Sequence, residues 1–272
     1  MTALCACLVL AACTPGVPPV SGPPGDVTES TLAVSDGERL EGSTWGAALR
    51  RGRADLVFAY VPATGFAHLD DTGAPTGLTV ELLRDFAAWV AREHRIDVHV
   101  SWYGQPSWST FYGQVRDAGE GVLGVGNVTI TAERELELDF SPPYMRNVAA
   151  LVTHQSVPEL PAMGRIGEDF AHLTGLAFPG TLHEVRLAAI RDAHFPAMAT
   201  RPVQSNDELV ALLSVDQGYF GYVDIYNFWR ARHAGAPLRR HAVGDDASEA
   251  FGVILPDGSD WTPVIAAFLG AE

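Results

Sequence analysis

The sequence predicts an α/β fold with open sheets of parallel strands, on three observations. Between Gly121 and Tyr144 (GVLGVGNVTITAERELELDFSPPY) the small and β-branched run Val122–Gly126 suits a strand buried on both faces, and the chain then turns polar at Asn127, Thr129 and Thr131. Upstream, the apolar Asp55–Tyr60 is followed by turn residues at Asp70–Gly73 and by an amphipathic stretch running to about His94, the order strand, turn, helix. A chain of 272 residues with 47% hydrophobic content has enough apolar side chain for one or two cores. In open α/β sheets a ligand crevice lies outside the carboxyl ends of the strands. Asn127 and Thr129 are therefore expected at the lip of such a crevice, with Arg134 on the first turn of a short helix beside them.

In chain order, Met1 to Ala12 is short, apolar and uncharged, and it runs into Leu10-Ala-Ala-Cys13. It resembles a bacterial lipoprotein signal, with residues 1–12 as the signal peptide and Cys13 as the lipidated first mature residue. No Lys or Arg precedes the apolar run, a departure from a signal n-region that points to a start further upstream. All three cysteines, Cys5, Cys7 and Cys13, lie here, so the mature chain would keep Cys13 alone and form no disulfide or cysteine metal site. Thr14–Ser30 is too rich in Pro and Gly to fold, and residues 13–40 are expected to be a semi-extended tether between anchor and domain. No apolar run reaches the roughly 18 residues that span a bilayer.

After the first strand and helix, Ile96–Tyr103 alternates as a second strand, Gln105–Ala118 is helical after Pro106, and Val122–Gly126 is the third strand. Val148–Thr153 is apolar and extended and leads into a loop bearing Pro158 and Pro161. Thr174–Phe178 is a short strand, Pro179-Gly180-Thr181 a tight turn, and Leu182–His194 a helix with Thr181 as its N-cap. The free N–H groups and dipole at that terminus suit an anion. Ser205–Val215 opens with a capping box of Ser205 and Glu208. Gly218–Asp224 is a strand ending in a carboxylate, followed by a helix over Ile225–Arg232, a strand over Glu249–Leu255 and a helix over Thr262–Leu269.

Thr129-Ile-Thr-Ala-Glu-Arg134, followed by Asp139-Phe-Ser-Pro-Pro-Tyr144, resembles the paired motif of the family 3 extracellular solute-binding proteins, the amino-acid-binding components of bacterial ABC importers. The resemblance extends more weakly from about Asp55 to Leu255. It implies a two-lobed, periplasmic-binding-protein-like (type II) fold. Lobe 1 would comprise 41–152 plus 249–272 and lobe 2 would comprise 153–248, with a hinge at two crossing strands. The function it implies is capture of a small amino acid or related carboxylate between the lobes and delivery to a membrane permease. The carrier would be a lipid-anchored monomer of the cell envelope that needs no cofactor.

The family's site carries over residue by residue. Arg134, Thr129 and Thr181 would hold the ligand carboxylate, for which a guanidinium offers a forked and permanently charged pair of donors. Asp224 with Asn127 would hold the amine, and Tyr60, two before Pro62, would pack with Trp108 on the rest of the ligand. Each has a plainer alternative: Arg134 in a surface ion pair with Glu137 or Asp139, Tyr60 in the core, Thr181 and Asp224 as caps of their own helices. Asn127 stands where the family usually has Gly or Ser, which leaves open a smaller ligand or one that is not a plain α-amino acid.

A net charge of −15 argues against nucleic acid, and all 18 basic residues are arginines, so Schiff-base chemistry has no lysine to use. The nine histidines lack metal-ligand spacing. Two rivals remain. One is a sensory or regulatory ligand-binding module. The other is an enzyme resembling cyclohexadienyl dehydratase with Asp224 as general acid, disfavoured because the sequence places no Lys or His beside Asp224.

Overall fold

The computed structural model describes residues 24–32 and 39–270; the signal segment, Cys13 and the first part of the expected tether lie outside them. The first elements are β1 (Val27–Leu32), α1 (Trp45–Arg51), β2 (Arg53–Tyr60), a small hairpin of β3 (His68–Leu69) and β4 (Pro75–Thr76), and α2 (Leu78–His94). They are followed by β5 (Asp97–Gly104), α3 (Trp108–Arg116), β6 (Val122–Val125) and β7 (Leu138–Phe140). Next come β8 (Met145–His154), the single turn α4 (Ile166–Asp169), β9 (Thr174–Ala177), α5 (Leu182–His194), β10 (Thr200–Pro202), α6 (Asn206–Val215) and β11 (Tyr219–Asp224). The last are α7 (Ile225–His233), β12 (Leu238–Arg240), β13 (Asp246–Phe251), β14 (Ile254–Pro256) and α8 (Thr262–Leu269).

These elements build two sheets, each with helices on both faces. The first runs β1-β5-β2-β6-β14-β7, with β1, β5, β2 and β6 parallel and β14 antiparallel to both neighbours. The second runs β10-β9-β11-β8-β12 with β13 also on β8; β10, β9 and β11 are parallel and β8 reverses direction. Strand β2 shows why the first sheet is buried on both sides. Its alternate residues Leu56, Phe58 and Tyr60 join the core under α2, whereas Val57 and Ala59 join the core under α3. In the second lobe Phe220 and Tyr222 of β11 pack toward Leu187 and Ile190 of α5, while Val223 packs toward Leu209 of α6 and Phe228 of α7.

The chain crosses between the sheets twice, and the crossings lie side by side. Ser141 N–H donates to Val253 O at 2.9 Å, Val253 N–H donates to Ser141 Oγ at 3.0 Å, and Tyr144 N–H donates to Phe251 O at 3.0 Å. The fold is thus the expected two-lobed periplasmic-binding-protein arrangement, with three local corrections. First, β1 pairs in parallel with β5 over six residues, so Val27–Leu32 is an edge strand of the first sheet and not part of a tether over 13–40. Its Pro/Gly-rich flank hid a polar strand that a neighbour completes. Second, β8 pairs along its length within the second sheet, so a lobe boundary at 152/153 would cut it, and the crossing lies at 141–144. Third, the expected strand over Glu249–Leu255 is two strands. Gly252 interrupts it where an added Cβ would stand 3.1 Å from Ile130 and Phe140, and β13 and β14 join different sheets.

Candidate functional site

A narrow cleft lies between the lobes at the carboxyl ends of the parallel strands. From the first lobe it is lined by Val61–Ala63 beyond β2, by Trp108 at the start of α3, and by Asn127, Thr129 and Arg134 beyond β6. The second lobe contributes Phe178, Thr181, Leu182, His183, the segment Gln204–Asp207, Asp224 and Glu249.

Arg134 opens a 3-10 turn, Arg134–Leu136, where its N–H donates to Thr131 Oγ1 at 3.3 Å. Its Nη1 donates to Thr129 O at 2.8 Å, and its guanidinium lies over the rings of Trp108 at 5.1 Å and Tyr112 at 5.9 Å. The two carboxylates offered as surface partners are engaged elsewhere. Glu137 accepts from Tyr112 OH at 3.1 Å, and Asp139 accepts from Thr262 Oγ1 at 2.7 Å. Among the described residues Arg134 forms no ion pair. Burial pulls its pKa below the usual guanidinium range, although the group stays charged. A buried cation whose neighbouring carboxylates, Glu249 and Glu133, form no ion pair with it is costly, and an anion arriving in the cleft offsets that cost.

Thr181 occupies the N-cap position of α5, but its hydroxyl does not cap the helix: Oγ1 donates back to Phe178 O at 2.7 Å. The start of α5, with Leu182 and His183, therefore faces the cleft without a side-chain cap. Thr129 is nearly buried and bridges to Phe251 of β13, which fixes the carbonyl that holds Arg134.

Asp224, at the end of β11, is 2% exposed. It heads α7 without capping it through its side chain; instead Oδ2 accepts from Asn127 Nδ2 at 2.5 Å and Oδ1 from Asn147 Nδ2 at 2.7 Å. His183 Nε2 lies 3.5 Å from Oδ1. Burial alone would raise the Asp224 pKa, but the hydrogen bond and charge of His183, with the two asparagine amides, outweigh it and hold the carboxyl below its ordinary range. An ionised carboxylate held by donors is an acceptor and not a proton donor, which suits ligand binding better than general-acid catalysis.

Six of the seven expected binding residues thus line one cleft: Trp108, Asn127, Thr129, Arg134, Thr181 and Asp224. Tyr60 does not. It is 2% exposed in the core under α2, edge-on to Trp102 at 6.5 Å, with its hydroxyl against Gly104. Strand parity is the reason, because residues 56, 58 and 60 face α2 and the next residue, Val61, packs with Trp108 on the cleft side.

Several cleft residues escaped the sequence reading. His183 stands beside Asp224, contrary to the expectation that no histidine does; the only sequence signal was its place two residues into a helix whose start faces the crevice. Glu249 accepts from Arg186 Nη2 at 2.5 Å and Asn147 Nδ2 at 2.6 Å, and Arg186 also binds Asp246 at 2.8 Å. Asp207, in the first turn of α6, accepts from Thr64 Oγ1 at 2.5 Å across the cleft and from Arg230 at 2.8 Å. The contacts Thr64–Asp207, Asn127–Asp224 and Phe66–Tyr226, whose rings lie 5.0 Å apart, hold the two lobes against each other. Among the described residues no cluster of His, Cys, Asp and Glu could hold a metal ion.

The family model for bacterial extracellular solute-binding proteins, family 3, matches residues 56–216. Among solved structures, holo ArgBP from T. maritima superposes with a TM-score of 0.65 at 16% identity, over 83% of this chain and 92% of that one. The arginine-, lysine-, histidine-binding protein ArtJ from Geobacillus stearothermophilus gives 0.62 at 16% identity, over 80% and 88%. An ancestral amino acid-binding protein described as a precursor of cyclohexadienyl dehydratase gives 0.65 at 18% identity, over 83% and 92%. At these identities the likeness is one of fold. No curated protein matches the sequence.

Proposed function

The chain belongs to the bacterial extracellular solute-binding proteins of family 3, and from that premise we propose that it is the substrate-binding component of an ABC importer. In this reading it captures a small amino acid or related carboxylate between its lobes and delivers it to a membrane permease. It is exported and held at the cell envelope through a lipid on Cys13. The observation that carries the reading is the guanidinium of Arg134, which forms no ion pair among the described residues and is fixed over Trp108 on the wall of a cleft that both lobes line. Arg134, Thr129 and Thr181, with the start of α5, receive the carboxylate. Asp224 and Asn127 meet the polar group beside it, and Trp108 packs on the body. A ligand touching both lobes stabilises their closed arrangement through contacts that an open cleft lacks.

The contact of His183 with Asp224 removes one objection to an enzyme resembling cyclohexadienyl dehydratase. The lowered pKa of Asp224 works against that rival, since a general acid must hold a proton to give.

A thermal-shift screen against amino acids and small carboxylates tests the reading. A true ligand at a hundredfold excess over its Kd adds about 2.7 kcal/mol of stability. For a chain of this size that is a shift of roughly 5–10 °C. The shift is expected for one ligand class and is expected to vanish in Arg134→Ala. A shift that survives Arg134→Ala, or none with any carboxylate, would sink the proposal.

A further inference from the structure

We propose that Asn206 is a specificity-determining residue of the cleft, and that the ligand carries on its side chain an N–H or O–H donor that Asn206 Oδ1 accepts. The proposal rests on the binding reading above and names the ligand class of that same site.

Asn206 is the first residue of α6 and lines the cleft. Its Oδ1 is buried and, among the described residues, has no hydrogen-bond partner. The helix makes no use of this side chain. Ser205 Oγ caps α6 by accepting from Glu208 N–H at 3.1 Å, and Glu208 Oε2 accepts from Gln204 N–H at 2.7 Å. The next residue, Asp207, is committed to Thr64 Oγ1 of the first lobe at 2.5 Å and to Arg230 at 2.8 Å. Asn206 is thus held in place from both sides, beside a contact that joins the lobes, with its own amide oxygen unspent.

A buried carbonyl oxygen denied a donor destabilises the state that buries it, and a ligand that supplies the donor removes that penalty. A ligand of the same shape without the donor leaves the oxygen stranded when the lobes close on it. The donor is assigned to the side chain of the ligand because the other groups of the ligand are provided for elsewhere. In the binding reading Arg134 takes the carboxylate and Asp224 faces the group on the α-carbon, whatever the charge of that group. Asp224 is held by Asn127, Asn147 and His183, whereas the turn that carries Asn206 is held by Thr64 and Arg230, and the two sets share no member. Asn206 and Asp224 therefore meet different parts of one ligand.

Calorimetric titration of the full chain with three pairs tests the proposal, each pair matched in shape and identical at the α-carbon: threonine against valine, asparagine against leucine, glutamine against methionine. Within whichever pair binds, the polar member is expected to bind at least about tenfold more tightly. Asn206→Ala is expected to shrink that ratio by about tenfold, and Asn206→Asp, which keeps a side-chain acceptor, is expected to preserve it. Both variants leave the cap at Ser205 untouched. An unchanged ratio in folded Asn206→Ala would overturn the proposal, as would an Asn206→Asp variant no more selective than Asn206→Ala. Wild-type indifference within a pair, or preference for its apolar member, would also overturn it, and would leave the binding reading intact where Arg134→Ala abolishes the binding. Failure of all six compounds to bind would remove the binding reading and the proposal together.

Discussion

His241 is fully buried, with Nδ1 accepting from Leu160 N–H at 3.0 Å and Nε2 against Thr153 Oγ1 at 2.8 Å. Thr153 Oγ1 passes its own proton to His154 O at 3.0 Å, so Nε2 carries the ring proton and the imidazole is neutral. Burial, aided by Arg239, lowers its pKa from 6.5 to about 4. Because the folded value lies below the unfolded one, the contribution of His241 to stability is complete above pH 6.5 and is lost as pH falls from 6.5 to about 4. The loss amounts to roughly 3 kcal/mol. Urea denaturation at pH 7 and pH 4.5 is expected to show this loss in the wild type and a much smaller one in His241→Gln. Equal losses would show that other groups govern acid stability. At this scale the sequence exposed some roles and hid others. Arg134 was legible because its neighbours form a dense motif, and Tyr60 was misplaced because a motif gives position along a strand but not which face a given residue takes. His183 was hidden because the turn of α5 that brings it to Asp224 depends on how the helix packs.

Two elements carry tests of their own. The loop beyond β2 brings Gly65, at φ +90°, against Tyr226 of α7 on the other lobe, where an added Cβ would stand 2.6 Å from the ring. Gly65→Ala meets both a backbone conformation costing about 1–3 kcal/mol for a non-glycine residue and a clash across the closed cleft. Ligand affinity is expected to fall about tenfold or more, measured by calorimetry; an unchanged Kd would show that this lip does not close on the ligand. Strand β1 is the second case. Glu29 accepts from Arg84 Nε at 2.9 Å and from the indole N–H of the fully buried Trp102 at 3.0 Å. Glu29→Ala leaves that donor unpaired and is expected to cost about 1–3 kcal/mol in urea denaturation, whereas a tether would tolerate the change without loss. These elements also mark what could be read in advance. The expected limits of α5 and α8 match those observed, since the turn Pro179-Gly180 precedes α5, and Pro263 in the first turn and Gly270 after the last bound α8. β1 escaped because it has little apolar pattern of its own and gains its partners from β5 and α2. The division of β13 from β14 escaped because Gly252 changes sheets without breaking the apolar run.

At the scale of the whole molecule, the crossings at Ser141–Tyr144 and Phe251–Val253 link two sheets whose strand ends face one another across a cleft. The alternation of strand and helix announced an α/β fold, but the strand orders and the return of the chain to its first sheet rest on distant pairings that local pattern does not encode. The two-lobed architecture became legible through the motif at Thr129–Arg134 and Asp139–Tyr144 and not through periodicity. In the proposed function this architecture brings Arg134 and the start of α5 to one small carboxylate. A crystal structure of the chain with the compound giving the largest thermal shift tests it most directly. A closed cleft is expected, with the ligand carboxylate forked on Arg134 at about 2.7–2.9 Å. A ligand bound outside the cleft, or one whose carboxylate lies away from Arg134, would contradict it.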